Sequence, residues 1–254
     1  MLRELIATDV FKLLLVFARL GAAMMLLPGF SSTVVNARTR LLLALGIAFL
    51  LMPVLGRSLP PAPAGPLSLF LLLGGEVTIG IFLGLMTQIL MAPLDLAGTV
   101  ISNSVGLTNV FTFDPVSRQQ SQLLPGFLNL IAVTLVFLTD SHHLMLRALV
   151  DSYGLFVPGR PLPMDDFAAA LVRTLGESFV LGFKLAAPAL VFSLTLNTAL
   201  ALLNRLVPQM QVFFVGLPIQ LLGGLAILML CLPPIMYWFI RNFVDGVGAF
   251  LSRG

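Results

Sequence analysis

Long apolar runs that carry almost no charge dominate this sequence, and they stand on both sides of one polar interval near its middle. Residues 67–91 and 212–240 each exceed about 18 residues, the length at which an apolar run is read as a membrane-spanning helix. Only 10% of the residues are charged, whereas a soluble domain has about 25%. The sequence therefore predicts an all-α, polytopic membrane protein.

About six hydrophobic helical segments are expected from the apolar runs, several of them kinked or broken. Proline removes a backbone donor and clashes with the preceding turn of a helix. Pro93 and Pro188 are therefore expected to kink their helices, and Pro218 and the pair Pro233-Pro234 to break the last one. The segments cover residues 10–27, 41–55, 67–91, 123–138 continued by 144–156, 167–203 and 212–240.

Two helix starts carry capping residues. Asn36 precedes the second segment and is expected to accept a hydrogen bond from the first helical turn. Asp165 and Asp166 are expected to cap the long helix that begins near residue 167.

The central polar interval, about residues 102–122, is rich in Ser, Thr, Asn and Gln and contains Phe111, Phe113 and the turn-forming pair Asp114-Pro115. One interpretation is a loop in an aqueous pathway whose wall the apolar halves build. The other is an ordinary extramembrane loop between two helices. No polar segment is long enough for a soluble domain, so residues 1–254 are expected to form a single membrane domain.

Charged residues inside the apolar runs are the candidates for chemistry or packing. Arg19 must either face other helices or extend its head group to an interface. Glu177 and Lys184 are two helical turns apart and lie on one face. With Glu76, they allow two interpretations: a proton relay, or pairing between helices within an assembly.

Several function classes lack their signatures. No phosphate-binding loop, zinc-protease motif or nucleophile elbow is present, so no enzyme activity and no cofactor is expected. His142 and His143 are adjacent and point about 100° apart on a helix, so a shared metal ion is not expected. Cys231 is the sole cysteine, and a net charge of +3 is too small and scattered for nucleic acid.

Short motifs of a recognisable kind recur along nearly the whole chain. In order, they are Asn36-x-Arg38-x-Arg40-Leu41, Glu76 with Gly80 and Gly84, Asp114-Pro115, Asp140-x-His142-His143, and Pro208-Gln209-Met210 leading into Val215-Gly216-Leu217-Pro218. Together they resemble the FliR/SctT family of export-gate membrane proteins. Gln211 stands where that family usually has Asn, and Ser141 stands where it usually has Gly.

The resemblance implies a channel-forming subunit of the export gate of a type III secretion system, present as a minor component. Its implied partners are FliP-like, FliQ-like and FlhB-like membrane subunits in a helical hetero-oligomer, together with membrane lipid and the unfolded proteins that are exported. The implied location is the bacterial inner membrane, at the flagellar basal body. A virulence secretion homologue and an ion-coupled secondary transporter are the alternatives.

The resemblance also implies site residues. A plug that closes the pore would comprise Gly106, Val110, Phe111, Phe113 and Asp114. The pair Gly80 and Gly84 is a small-x-x-x-small face that lets helices approach closely. The residues expected to serve assembly and packing are Arg38, Glu76, Gly80, Gly84, Lys184, Pro208, Gln209, Met210, Gly216 and Pro218.

Overall fold

The computed structural model describes residues 2–31, 35–56, 59–63, 65–107, 123–206 and 212–251. Within these ranges the chain forms helices and no strand, which confirms the all-α prediction. The main helices are α1 (Leu2–Met24), α2 (Ala37–Leu55), α3 (Pro66–Val105), α4 (Leu123–Leu138), α5 (Ser141–Leu155), α6 (Met164–Leu206) and α7 (Val212–Leu251).

Four of these helices are long and apolar enough to cross a membrane: α2, α3, α6 and the Gly216–Ala249 part of α7. The bent pair α4 and α5 together would make a fifth, broken span. These spans confirm the prediction of a polytopic membrane protein. The first span that the sequence predicts, at residues 10–27, is not among them. The helix in this region is α1, and every stretch of 18 residues within it contains at least three charged residues.

Of the two predicted helix caps, the one at α2 is observed, whereas α6 begins earlier than predicted. The side chain of Asn36 accepts a hydrogen bond from the backbone N–H of Arg38 at 3.2 Å, so the predicted cap of α2 is confirmed. Helix α6 instead begins at Met164, ahead of Asp165 and Asp166. These carboxylates lie within the first turn, where they still stabilise the positive end of the helix dipole.

The expected break in the last hydrophobic stretch is wrong. Helix α7 is continuous through Pro218, Pro233 and Pro234, just as α3 continues through Pro93 and α6 through Pro188. Each proline removes one backbone hydrogen bond, yet interior prolines are tolerated in membrane helices because neighbouring groups and small local adjustments satisfy the freed carbonyls.

The chain groups into two compact units, and each is described by itself. The first comprises Met1–Leu90, Phe137–Thr174 and Val244–Gly254. Its core includes fully buried Leu15 and Leu20 of α1 and Met86 of α3. An aromatic cluster reinforces it: the rings of Phe82 and Phe167 stack at 4.0 Å, and Phe156 meets Phe167 edge-on at 5.1 Å.

The second unit comprises Met91–Val136 and Leu175–Phe243. Glycines let its helices approach closely. A Cβ atom on Gly98 of α3 would lie 2.6 Å from the Cα of Pro125 in α4, which is too close for any side chain. A Cβ on Gly182 of α6 would lie 3.0 Å from the carbonyl oxygen of Pro93. The prediction of one membrane domain over residues 1–254 stays a prediction.

Candidate functional site: a buried ion pair and its surroundings

The most polar point in the core of the first unit is the side chain of Arg19. It is fully buried, on α1. Its Nε donates a hydrogen bond to Oε2 of Glu76 at 2.7 Å, and its Nη2 donates to Oε1 at 3.1 Å. This two-pronged geometry is the strongest form of a carboxylate–guanidinium contact. The sequence allowed Arg19 either to face other helices or to extend to a membrane interface. In the structure its side chain faces another helix, α3.

The guanidinium of Arg19 makes two further hydrogen bonds, both to residues near the end of α5. Nη1 donates to Oγ of Ser152 at 3.0 Å, and Nη2 donates to the carbonyl oxygen of Phe156 at 2.9 Å. The guanidinium lies 3.8 Å from the centre of the Tyr153 ring, a favourable cation–π distance. The cluster joins α1, α3 and the end of α5 around one charge pair, and it leaves no bare buried charge.

A glycine face places α1 directly against α3 beside this ion pair. A Cβ on Gly80 would meet the carbonyl oxygen of Arg19 and lie 2.9 Å from the Cβ of Ala22. One turn further along, a Cβ on Gly84 would lie 2.6 Å from the Cβ of Leu26. Side chains at these two positions would push the helices apart, and the bidentate contact of Arg19 requires their closeness.

A cavity of about 340 Å³ adjoins the cluster. Glu76 and Ile79 of α3 form part of its wall, and the segment that carries Arg160 and Pro161 closes another side. Because both oxygens of Glu76 accept hydrogen bonds from Arg19, this carboxylate is held in place at the wall of the cavity.

Glu177 and Lys184 are exposed on α6 in the second unit. Neither residue therefore belongs to the buried ion pair of Glu76, whose partner is Arg19. Sequence reasoning singled out both Arg19 and Glu76 but did not pair them. The available signal was that each is a charge within an apolar run and needs a partner of opposite sign.

The beginning of the central polar interval lies in the second unit. Helix α3 ends at Val105, and Gly106 follows with φ of +79°, a backbone conformation that favours glycine. Nε2 of Gln220 on α7 donates a hydrogen bond to the carbonyl oxygen of Ser104 at 2.8 Å. Gln220 thus anchors the turn from which the interval departs, and sequence reasoning missed it.

Three of the other predicted site residues lie within the described ranges, and seven lie outside them. Arg38 is exposed in the first turn of α2. Gly216 is buried in α7, where a Cβ would lie 2.8 Å from Cδ1 of Leu200, and Pro218 is exposed. The residues that lie outside the described ranges are Val110, Phe111, Phe113, Asp114, Pro208, Gln209 and Met210.

Asp140, His142 and His143 come together in the first unit. One ligand atom of each lies within 4.8 Å of those of the others. Adjacent residues on a helix point about 100° apart, so the rings of His142 and His143 were expected to point away from each other. Their ring centres are nevertheless only 4.1 Å apart. Imidazole side chains are long enough to lean toward each other from adjacent positions in the first turn of α5.

Comparison with known proteins agrees with the motif pattern. The family model described as bacterial export proteins, family 1, matches residues 10–245. The flagellar biosynthetic protein FliR of Caulobacter vibrioides is 39% identical over 243 residues, which cover 92% of this chain and 94% of the relative. The protein of the same name from Escherichia coli K12 is 34% identical over 87% of this chain and 83% of its own length.

Proposed function

The chain belongs to family 1 of the bacterial export proteins, and we propose that it is a channel-forming subunit of a flagellar type III protein export gate. The observation that carries this proposal is the similarity to the Caulobacter vibrioides flagellar biosynthetic protein over nearly the full length of both chains. An all-α membrane fold with several spans supports it.

The central interval would supply the plug of this channel. The turn at Gly106, held from α7 by Gln220, directs the chain out of α3 into a polar stretch that contains Phe111 and Phe113. Polar segments at membrane depth are tolerated where they line a water-filled cavity or contact protein. Apolar rings in such a passage close it by excluding water.

Exposed apolar faces would bind the other subunits and lipid. Leu42, Phe49, Leu50 and Val54 of α2 are each about 70% exposed. Such a face is stable only in hydrocarbon or against another apolar surface. We assign these surfaces to FliP-like, FliQ-like and FlhB-like subunits and to the inner-membrane lipid around the flagellar basal body.

The flagellar assignment is preferred to a virulence system because the reported relatives are named as flagellar proteins. A proton-coupled transporter fits less well, because the buried carboxylate of Glu76 is occupied by Arg19. The proposed role is also not enzymatic, since the channel changes no covalent bond of the exported protein.

Gene deletion tests the proposal in the organism that carries this chain. The deletion strain should stop releasing flagellar filament and hook proteins into the medium, and the wild-type gene should restore release. Secretion of these proteins at an unchanged level without the gene would overturn the proposed function.

A further inference from the structure

We propose that Asp140, His142 and His143 form a binding site for one divalent transition-metal ion, with Zn²⁺ as the matched probe. The three residues provide a carboxylate and two imidazoles from the turn before α5 and from its first turn. This inference is independent of the proposed export function, since it depends only on the geometry of the first unit.

The distances are close to those of a coordinated ion. One ligand atom from each residue lies within 4.8 Å of the other two, and Nδ1 of His143 is 3.6 Å from Oδ1 of Asp140. Bonds from Zn²⁺ to nitrogen and carboxylate oxygen are about 2.0–2.2 Å long, so neighbouring ligands of one ion lie roughly 3.5 Å apart. Small side-chain rotations would therefore complete the set.

The carboxylate of Asp140 lies beside His143 and does not cap α5. Asp140 has φ of 55° and is the one non-glycine residue with positive φ in the part of the chain that the structure describes. It stands at the N-cap position of α5, yet its side chain makes no capping hydrogen bond. The hydrogen bond from the backbone N–H of His143 to the carbonyl oxygen of Asp140, 2.9 Å long, holds the turn. The carboxylate is therefore available as a ligand.

His142 adds a buried nitrogen without a protein partner. Its Nδ1 is shielded from solvent and makes no hydrogen bond with the described residues, while its ring stacks on Phe137 with centres 4.9 Å apart. A buried polar atom without a partner is costly. A metal ion that draws the imidazole into its coordination shell would relieve this cost. A water molecule would also satisfy the nitrogen, and the experiment below separates the two.

The donor set determines the class of ion. Imidazole ligands suit Zn²⁺, Cu²⁺, Ni²⁺ and Fe²⁺, whereas Mg²⁺ and Ca²⁺ prefer oxygen ligands throughout. The side chains of Asp140 and His143 are 79% and 69% exposed. Most of the surface of these two side chains is not covered by the described residues, so water or a donor from another molecule would fill the remaining coordination positions.

Isothermal titration with ZnCl₂ tests the site on the full-length chain, purified in detergent with an affinity tag that contains no histidine. We expect one Zn²⁺ per chain. Asp140→Asn and His143→Ala should each weaken binding at least about tenfold, the smallest loss usual for groups that support a metal site. Asn tolerates the left-handed backbone of Asp140, so the turn is retained.

Asp151→Asn is the matched control, because Asp151 is an exposed carboxylate on the same helix. It should bind Zn²⁺ as tightly as the wild type. The proposal is overturned if the wild type binds no Zn²⁺, if Asp140→Asn and His143→Ala bind it equally well, or if Mg²⁺ in equal amount displaces it. X-ray absorption adds a direct readout: two imidazoles around zinc support the site, and a sulfur ligand at about 2.3 Å would contradict it.

Discussion

Arg19 and Glu76 form a bidentate ion pair in which Nε lies 2.7 Å from Oε2 and the two side chains are 0% and 2% exposed. The partners are 57 residues apart in the chain. They fasten α1 to α3 at the point where Gly80 and Gly84 let the two helices touch. The buried charge pair and the glycine face together hold α1 against α3 in the first unit.

Removing the negative charge of this pair should destabilise the protein strongly. Glu76→Gln leaves Arg19 buried and unbalanced, a change that costs about 3–5 kcal/mol. The amount of folded protein in detergent and its thermal unfolding temperature measure the loss.

The double variant Arg19→Met/Glu76→Met serves as the control for this prediction. It removes both charges, so it should be more stable than Glu76→Gln, as replacements of whole buried pairs by apolar residues often are. A single variant as stable as the wild type would show that the pair contributes little.

Gly80→Ala should also be destabilising. The added methyl group would meet the carbonyl oxygen of Arg19, a backbone atom that cannot rotate away. Overpacking of this kind costs about 1–3 kcal/mol. The matched control is Gly74→Ala on the same helix, where a Cβ would meet nothing within 4 Å. Equal unfolding temperatures for the two variants would refute the close contact of α1 with α3.

Gly106→Ala should weaken the turn at the end of α3. Its φ of +79° lies in the left-handed region, where a residue with a Cβ costs roughly 1–2 kcal/mol. Gly106→Asn should lose less, because Asn adopts this region more readily. Hydrogen exchange at the end of α3 measures the effect, and faster exchange in the Asn variant than in the Ala variant would go against the prediction.

The plug hypothesis predicts an ion leak. Phe111→Ala combined with Phe113→Ala removes both apolar rings from the central interval, so assembled complexes in planar bilayers should conduct small ions while complex yield is unchanged. Complexes with Thr112→Ala, a change between the two rings that retains both of them, should stay closed to ions. Unchanged conductance in intact double-variant complexes would exclude these rings as the barrier.

The sequence predicted the all-α class, the family and some helix bounds, but not the contacts between helices. Apolar runs predicted α4 within its observed bounds, because hydrophobicity is a local property. The order of the motifs predicted the family that matches residues 10–245. The pairing of Arg19 with Glu76 was missed, since Glu177 had equal claim to a buried cation until the fold placed it at the surface.

Two local rules failed for identifiable reasons. Proline was expected to break α7 at Pro218, but a membrane helix retains its remaining hydrogen bonds because no water competes for its backbone. Helical spacing was expected to separate His142 from His143. That rule describes the direction of the Cα–Cβ bonds, whereas rotation of the side chains brings the rings together.

Native mass spectrometry of the chain, expressed with its neighbouring genes and purified in mild detergent, tests the export-gate proposal most directly. A large hetero-oligomer that contains this chain as a minor component beside FliP-like and FliQ-like subunits is the predicted result. A stable monomer or homodimer that binds none of its co-expressed neighbours would contradict the account.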